Sequence, residues 1–401
     1  MLTKPMLLDE TGNKMIDSLD RIAAILASGA TYDFTPDKLV SLVQSGLAPY
    51  VLPVGSQLIM PWTDKSNGNT VYQIPWDVLA HETCLDPDGN TKPCMTLGWH
   101  YTTPYGVQFS NYQAFYSATA ELPAGTYYIT VGTNWGTYGK TGETYSFTLT
   151  QPVPIGGQLS GFEGLPDANP TGWKVKSWAS NAALTPIETV SVTAGTNGTS
   201  LGQLKPGGDG TLNCIQSVAY GYNRWSTSAM RQWLNSDKAA GAWWTPQHKF
   251  DRIPAELATK PGFLTGLDVE FKQILPKSKI TTALNTVTDV ALGTTEVTVD
   301  KVFLASLEQM YIVPQLATVE GPVLEYWKIA SGRSTPLPTG VATPEYVCYG
   351  IDNTATAQYV RLRSAYRSSG YYTWGVYPSG NVNYYSYAST SWRCLPVVRI
   401  Y

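Results

Sequence analysis

Charge is scarce in this sequence. Only 14% of residues are charged, the net charge is −3 and the isoelectric point lies near 5.7. No basic excess is available to neutralise phosphates, which excludes nucleic acid as a partner. Long apolar runs are missing too. Nothing approaches the roughly 20 residues of a membrane-spanning helix, so no membrane insertion is expected. The opening residues, MLTKPMLLDETGNKMIDSLDRIAAIL, lack an uninterrupted apolar segment and carry Asp9, Glu10, Asp17 and Asp20. They do not make a secretory signal, and the expectation is a protein made in the cytoplasm without a signal peptide.

Cysteine and histidine are also sparse. Five Cys in 401 residues make no disulfide framework. Cys84 and Cys94 flank the turn LDPDGNTKP and are placed to face each other across a hairpin, either bridged or as two thiols. The inferred compartment favours thiols. Cys214, Cys348 and Cys394 read as small core residues. Of three His, His81 and His100 have no second His or Cys at metal-ligand spacing and read as structural or surface residues. His248 stands alone on a Pro-rich loop. The DPDGN stretch at 86–90 lacks the rest of a calcium loop and reads as a hairpin turn. No nucleophile-elbow, zinc-protease, P-loop or dinucleotide-binding pattern occurs, so no cofactor and no metal are expected.

Aromatics, Gly and Pro are plentiful: 13 Trp, 26 Tyr, 36 Gly and 27 Pro. They point to a turn-rich chain, mainly β with some α, and its length points to two or three domains. Residues 14–27 form an amphipathic helix with Met15, Leu19, Ile22 and Leu26 on one stripe. That stripe either packs on its own domain or makes a seam for a homo-oligomer. A second helix starts with Thr35 as N-cap and Pro36 as first helical residue, and stops at Gly46. These helices define an N-terminal helical segment, 1–48. Residues 49–155 alternate in strand fashion between Asp-Gly, Asn-Gly and Pro-Ala-Gly turns, the pattern of an all-β, sandwich-like domain.

The third region, 156–401, opens on the linker-like QPVPIGGQLSGF. WKVKSWAS and IETVSVTAG read as strands, and NRWSTSAMRQWLNS as a helix capped near Ser226. DKVFLASLEQMY joins a strand to a helical turn, and EGPVLEYWKIA adds a short helix. The region ends in the most unusual stretch of the chain. From Arg361 to Tyr401 there is no Asp, Glu, Lys or His, and Tyr recurs among Ser, Gly, Asn and Thr. Antibody paratopes have this composition: Tyr offers broad, stiff contact area, and small polar residues adapt their hydrogen bonds. Interleaved Leu362, Trp374, Val376, Val382, Leu395, Val397, Val398 and Ile400 read as the frame beneath.

The order WLN, WW, DKVFLAS-LEQMY, EYWKIASG, YVRLRSAYRS, PSGNVN and R-x-L-P-V-V-R-I resembles the variable proteins of diversity-generating retroelements. These have a C-type lectin fold of the formylglycine-generating-enzyme type. The resemblance covers 158–401 and is densest at 225–244 and 301–401. It implies a C-terminal C-type lectin-like domain with a variable face at about 361–395, diversified by mutation of template adenines. The implied ligand-binding positions are Tyr366, Ser368, Ser369, Tyr371, Tyr372, Tyr377, Tyr384, Tyr385, Tyr387, Ser389 and Ser391. Arg363, Trp374, Gly380, Val382, Pro396 and Val397 fall to the scaffold. The N-terminal portion more loosely resembles tail proteins of phages and prophages. Together they imply a virion-associated receptor-binding protein, not an enzyme, that attaches to a bacterial surface protein or glycan. The Glu-Pro-Asn, Gln-Pro-Asp and Trp-Asn-Asp triplets of calcium-dependent lectins are absent. Two alternatives stay open: an oxidase on the same fold using Cys348 and Cys394, and a purely structural virion protein.

Overall fold

The computed structural model describes residues 35–110, 113–118, 121–131, 144–149, 151–152, 154, 158–159, 199–204, 215–220, 223–245, 253–286, 289, 292–315, 320–370 and 372–401. The helix expected at 14–27, the strands expected at 173–195, Cys214 and His248 lie outside them. The chain is mainly β-strand, with few helices and several small antiparallel sheets. Among the described residues, no helix is long and apolar enough to cross a membrane.

The first described helix, Pro36–Gln44, starts where Pro36 pre-sets the backbone and the Thr35 carbonyl accepts the Lys38 and Leu39 amides. Leu39 and Val43 bury its inner stripe, and Gly46, at φ +73°, ends it. Three antiparallel strands follow: β1 (Gln57–Asp64), β2 (Thr70–Leu85) and β3 (Thr91–Trp99). Each turn between them is held by an aspartate. Asp64 accepts the Ser66 amide at 2.9 Å, and Asp86 accepts the Asn90 amide at 2.8 Å beside Gly89 at φ +92°. The DPDGN stretch is therefore a hairpin turn. Cys84 and Cys94 are unbridged, buried thiols on this hairpin, where Cys84 lies opposite Lys92 and Cys94 opposite Glu82.

Between 113 and 220 lie β4 (Gln113–Ala118), β5 (Gly125–Val131), β6 (Thr144–Leu149), β7 (Gln158–Leu159), β8 (Thr199–Leu204) and β9 (Ile215–Tyr220). They form two three-stranded sheets, β7-β4-β9 and β6-β5-β8. Helix Ala229–Leu234 follows, capped by the Ser228 hydroxyl, which accepts the Arg231 amide at 3.1 Å. The cap expected at Ser226 falls two residues later because the Ser226 hydroxyl instead donates to Glu296 at 2.6 Å.

The rest of the chain gives β10 (Ser278–Ala283), β11 (Thr295–Asp300) and β12 (Val302–Phe303). After helix Glu325–Ser331 come β13 (Cys348–Tyr349), β14 (Ala357–Gln358), β15 (Val360–Ala365), β16 (Tyr372–Val376), β17 (Val382–Tyr387) and β18 (Val397–Ile400). The main sheet has the order β1-β2-β3-β18-β12. Its C-terminal strand pairs with β3 so that Val397 faces Gly98 and Ile400 faces Met95. The boundary expected at 155 thus runs between strands that one sheet joins. Local alternation marks β3 and β18 as strands, but nothing in it records which distant strand each pairs with.

One core backs this sheet. Trp62, Trp76, Trp99, Trp233, Phe263 and Phe271 pack with neighbouring ring centroids 5.3–5.9 Å apart. Trp62 and Trp233 also donate their indole N–H groups to the Phe263 and Pro261 carbonyls. Trp76 and Trp233 are wholly buried, so burial and ring packing coincide here.

Candidate binding face

Four of the eleven sequence-predicted positions, Tyr372, Tyr384, Tyr385 and Tyr387, lie in strands of the antiparallel sheet β15-β16-β17. Its register sets Tyr372 opposite Tyr387 and Val376 opposite Val382, with an irregularity between Thr373 and Gly375. On this face Tyr366 and Tyr384 stack at 3.7 Å and 2°, and Trp374 meets both edge-on at 5.9 and 5.4 Å. Tyr372 lies 6.4 Å from Tyr366 and 5.0 Å from Tyr387. The gradient of exposure runs across the cluster. Val376 and Val382 are sealed, Trp374 is buried, Tyr366, Tyr372 and Tyr384 are half-buried, and Tyr387 is 45% exposed.

The opposite face is built on Arg361. Its guanidinium donates to Thr373 Oγ1, Ser386 Oγ, and the Tyr387 and Thr390 carbonyls, the last two at 3.1 and 2.7 Å. It lies 4.7 Å over the Trp392 ring. A cation with neutral partners only is costly to bury, and desolvation pulls its pKa down. Arg363, two residues on, is equally buried but lies near the Glu320 carboxylate. Burial in turn raises the Glu320 pKa, against the pull of Arg363. Trp392 covers Gly375, where a Cβ would come 2.3 Å from the indole.

Asn223 orders the loop that enters the face. Wholly buried, its side-chain amide donates to the carbonyls of Tyr366 (3.1 Å), Ser369 (2.7 Å) and Tyr372 (2.6 Å). Its own backbone amide bonds Gly370, and its carbonyl oxygen accepts from Asn285. Gln315 adds a second anchor, accepting both the Arg367 amide at 2.8 Å and the Trp374 indole N–H at 3.3 Å. Sequence reasoning missed Arg361, Asn223 and Gln315 as supports of the face. A buried Arg flanked by neutral strand residues was the only available signal.

The predicted positions do not all meet. Tyr366, Tyr372, Tyr384 and Tyr387 form the cluster described, and Ser368 is exposed on the adjoining loop. Tyr377 belongs to a separate group, 5.2 Å from Tyr359 and 5.3 Å from Trp392. Ser369 is 7% exposed and its carbonyl is taken by Asn223, so it supports the loop. Ser389 is half-buried on the turn after β17. Ser391 is exposed and donates to Glu256. Tyr371 lies outside the described residues; Tyr385 lies in β17, and its side chain is outside them. The scaffold positions Arg363, Trp374, Val382, Pro396 and Val397 are all buried. Gly380, at φ +77°, has the Thr343 carbonyl where a Cβ would sit.

Elsewhere, Cys348 and Cys394 are buried, and desolvation pushes each thiol up to about 12. Cys348 donates to the Tyr346 carbonyl, and Cys394 Sγ lies 3.9 Å from Thr103 Oγ1. His81 contacts the Leu52 carbonyl at 2.8 Å, and His100 pairs with Asp77 at the same distance. Among the described residues, no group of three or more His, Cys, Asp or Glu is placed to hold a metal ion.

Residues 212–399, just under half of the chain, match the model of a domain of unknown function, DUF6273. The match takes in β9 to β17 and most of β18 but leaves out β3, with which β18 is paired. No curated protein and no solved structure matches the chain.

Proposed function

We propose that this chain is a receptor-binding protein of a phage or prophage, with a C-type lectin-like domain whose Tyr/Ser face is diversified by a retroelement. The observation that carries the reading is the graded Tyr cluster of β15–β17. Four Tyr rings make one cluster: Tyr366 and Tyr384 stack and meet buried Trp374 edge-on, and Tyr372 leads from them out to Tyr387. Such a surface binds by fitting stiff aromatic edges into shallow pockets, with a few central rings dominating. The face has little charge, which predicts binding that changes little with salt. The C-type lectin-like assignment is supported by closure of the main sheet through β18 and by a second, display-bearing sheet inserted before it.

The ligand is a bacterial surface protein or glycan, and the virion is where the protein acts. Self-association through the N-terminal helix would raise avidity where each site is weak. The oxidase alternative finds no support at the two C-terminal cysteines. Both thiols are pushed up to about 12, far from the thiolate such chemistry requires. The fluorescently labelled full chain, applied to a panel of bacterial strains, tests the reading. Selective labelling of some strains is expected, lost in the Tyr372→Ser/Tyr387→Ser double variant at unchanged melting temperature. Labelling unaffected by that variant would contradict it.

A further inference from the structure

A cleft of about 440 Å³ lies between the β1–β2 turn, the segment after β3 and Lys260. Asp64, Ser66, Tyr72, Tyr105, Lys260 and Asp352 are among its lining residues. Asp64 ends β1 and is 2% exposed, yet only one of its oxygens is used. The Ser66 amide and hydroxyl both donate to Oδ1, at 2.9 and 2.6 Å. Oδ2 accepts nothing from the described residues and is not sealed from solvent, so it opens into the cleft. A buried carboxylate with an oxygen in that state is short of a donor.

Lys260 stands across the same hydroxyl. Its ammonium lies 3.6 Å over the Tyr105 ring and donates to Ser66 Oγ at 3.3 Å, but makes no ion pair with a described carboxylate. Burial lowers its pKa, and Asp64 and Glu256 offset that only in part. An ammonium and a carboxylate thus face one cleft, one hydroxyl apart, without pairing. Asp352 differs, because Arg393 clamps both of its carboxylate oxygens.

These charges decide what fits. An anion that reaches Lys260 meets Asp64 and Asp352, and a cation that reaches Asp64 meets Lys260. An uncharged ligand compensates neither. A compact zwitterion satisfies both at once through charge-assisted hydrogen bonds. The two protein charges flank one hydroxyl, so a ligand whose own charges flank a single carbon spans them. Half-buried Tyr72 offers a wall for a short side chain.

We propose that this cleft binds a free α-amino acid, with Asp64 Oδ2 accepting from its ammonium and the Lys260 ammonium donating to its carboxylate. The site shares no lining residue with the Tyr cluster and does not depend on its proposed role. Ligand-observed saturation-transfer NMR and isothermal titration calorimetry on the full chain test it. The probes are glycine, L-alanine, L-serine and L-phenylalanine, with acetate, methylamine, glucose and γ-aminobutyrate as controls. At least one amino acid binds saturably in the millimolar range, and every control binds more weakly. Lys260→Gln, at a partly exposed position, and Asp64→Asn each weaken it about tenfold or more, whereas Tyr387→Ser leaves it unchanged. Lys260→Gln decides the matter if the Asp64 variant does not fold. The proposal is overturned if no α-amino acid binds up to about 50 mM, or if any control binds as tightly. It is also overturned if Lys260→Gln, or Asp64→Asn with the parent's circular dichroism, binds like the parent. Loss of amino-acid binding in Tyr387→Ser would overturn it too, by moving the site to the Tyr face.

Discussion

Trp76 and Tyr387 both sit in aromatic clusters at similar ring separations: 5.3 Å from Trp76 to Phe271 and 5.0 Å from Tyr387 to Tyr372. Yet Trp76 is wholly buried and Tyr387 is 45% exposed. The difference lies in what covers the outer side of each cluster. Around Trp76, helix and sheet residues close over every ring. On β15–β17, Trp374 packs edge-on against Tyr366 and Tyr384, and the cluster opens outward to Tyr387. Ring contact by itself therefore does not separate a core from a binding surface. Residue chemistry follows the same division: the sealed cluster is Trp and Phe, and the open one is Tyr, whose polar end tolerates water.

The comparison breaks first at the sealed cluster. Trp76→Ala should cost about 3–5 kcal/mol in urea denaturation, through lost burial and a residual cavity. A cost under about 1 kcal/mol would remove that cluster as the frame of the fold. Next comes Arg361, which ties β15 to β16, β17 and the following turn. Arg361→Ala should lose about 2–4 kcal/mol, because Thr373 and Ser386 are then left with buried hydroxyls. Arg361→Lys should recover only part, since an ammonium lacks the planar fork.

Asn223→Ala sharpens the contrast, since it loosens the face and not the core. It should cost about 1–3 kcal/mol and speed hydrogen exchange at the Tyr366 and Ser369 amides while β18 stays protected. Tyr387→Ser should cost under about 1 kcal/mol and still abolish ligand binding. The smallest effect concerns pH. Asp77 raises the folded-state pKa of His100 above its unfolded value. That contribution is complete below the unfolded pKa and fades as pH rises through the higher folded one. His100→Asn should flatten the fall in stability across that window, by a modest amount because the imidazole is partly exposed.

Much of this architecture was legible in the sequence. Pro36 and Gly46 bracket a helix, Asp-Gly marks the 86–90 turn, and the apolar residues spaced through the tail mark its buried frame. The separation of Trp374 and Val382 from Tyr372 and Tyr384 was also readable, because a Trp and a Val stand out as apolar among Tyr, Ser and Asn. Pairings across long sequence distances were not. Whether β3 meets β18 or a neighbour is decided by shape and core volume, which leave no local pattern. The supports of the face were equally silent. Asn223 bonds three carbonyls some 143–149 residues away, and nothing around Asn223 announces it. Tyr377 was grouped with the other tyrosines on composition, but the turn at 377–381 takes it to Tyr359 and Trp392 instead.

The central claim is that the Tyr/Ser face is a diversified binding surface, and sequencing the DNA that flanks the coding region tests it most directly. The account predicts a reverse transcriptase gene and a near-copy of the tail sequence that differs only at adenines. Those differences should fall in the codons for positions such as Tyr366, Ser368, Tyr372, Tyr384 and Tyr387, and spare those for Arg361, Trp374, Val376 and Val382. Absence of such a copy, or differences concentrated in the buried positions, would contradict it.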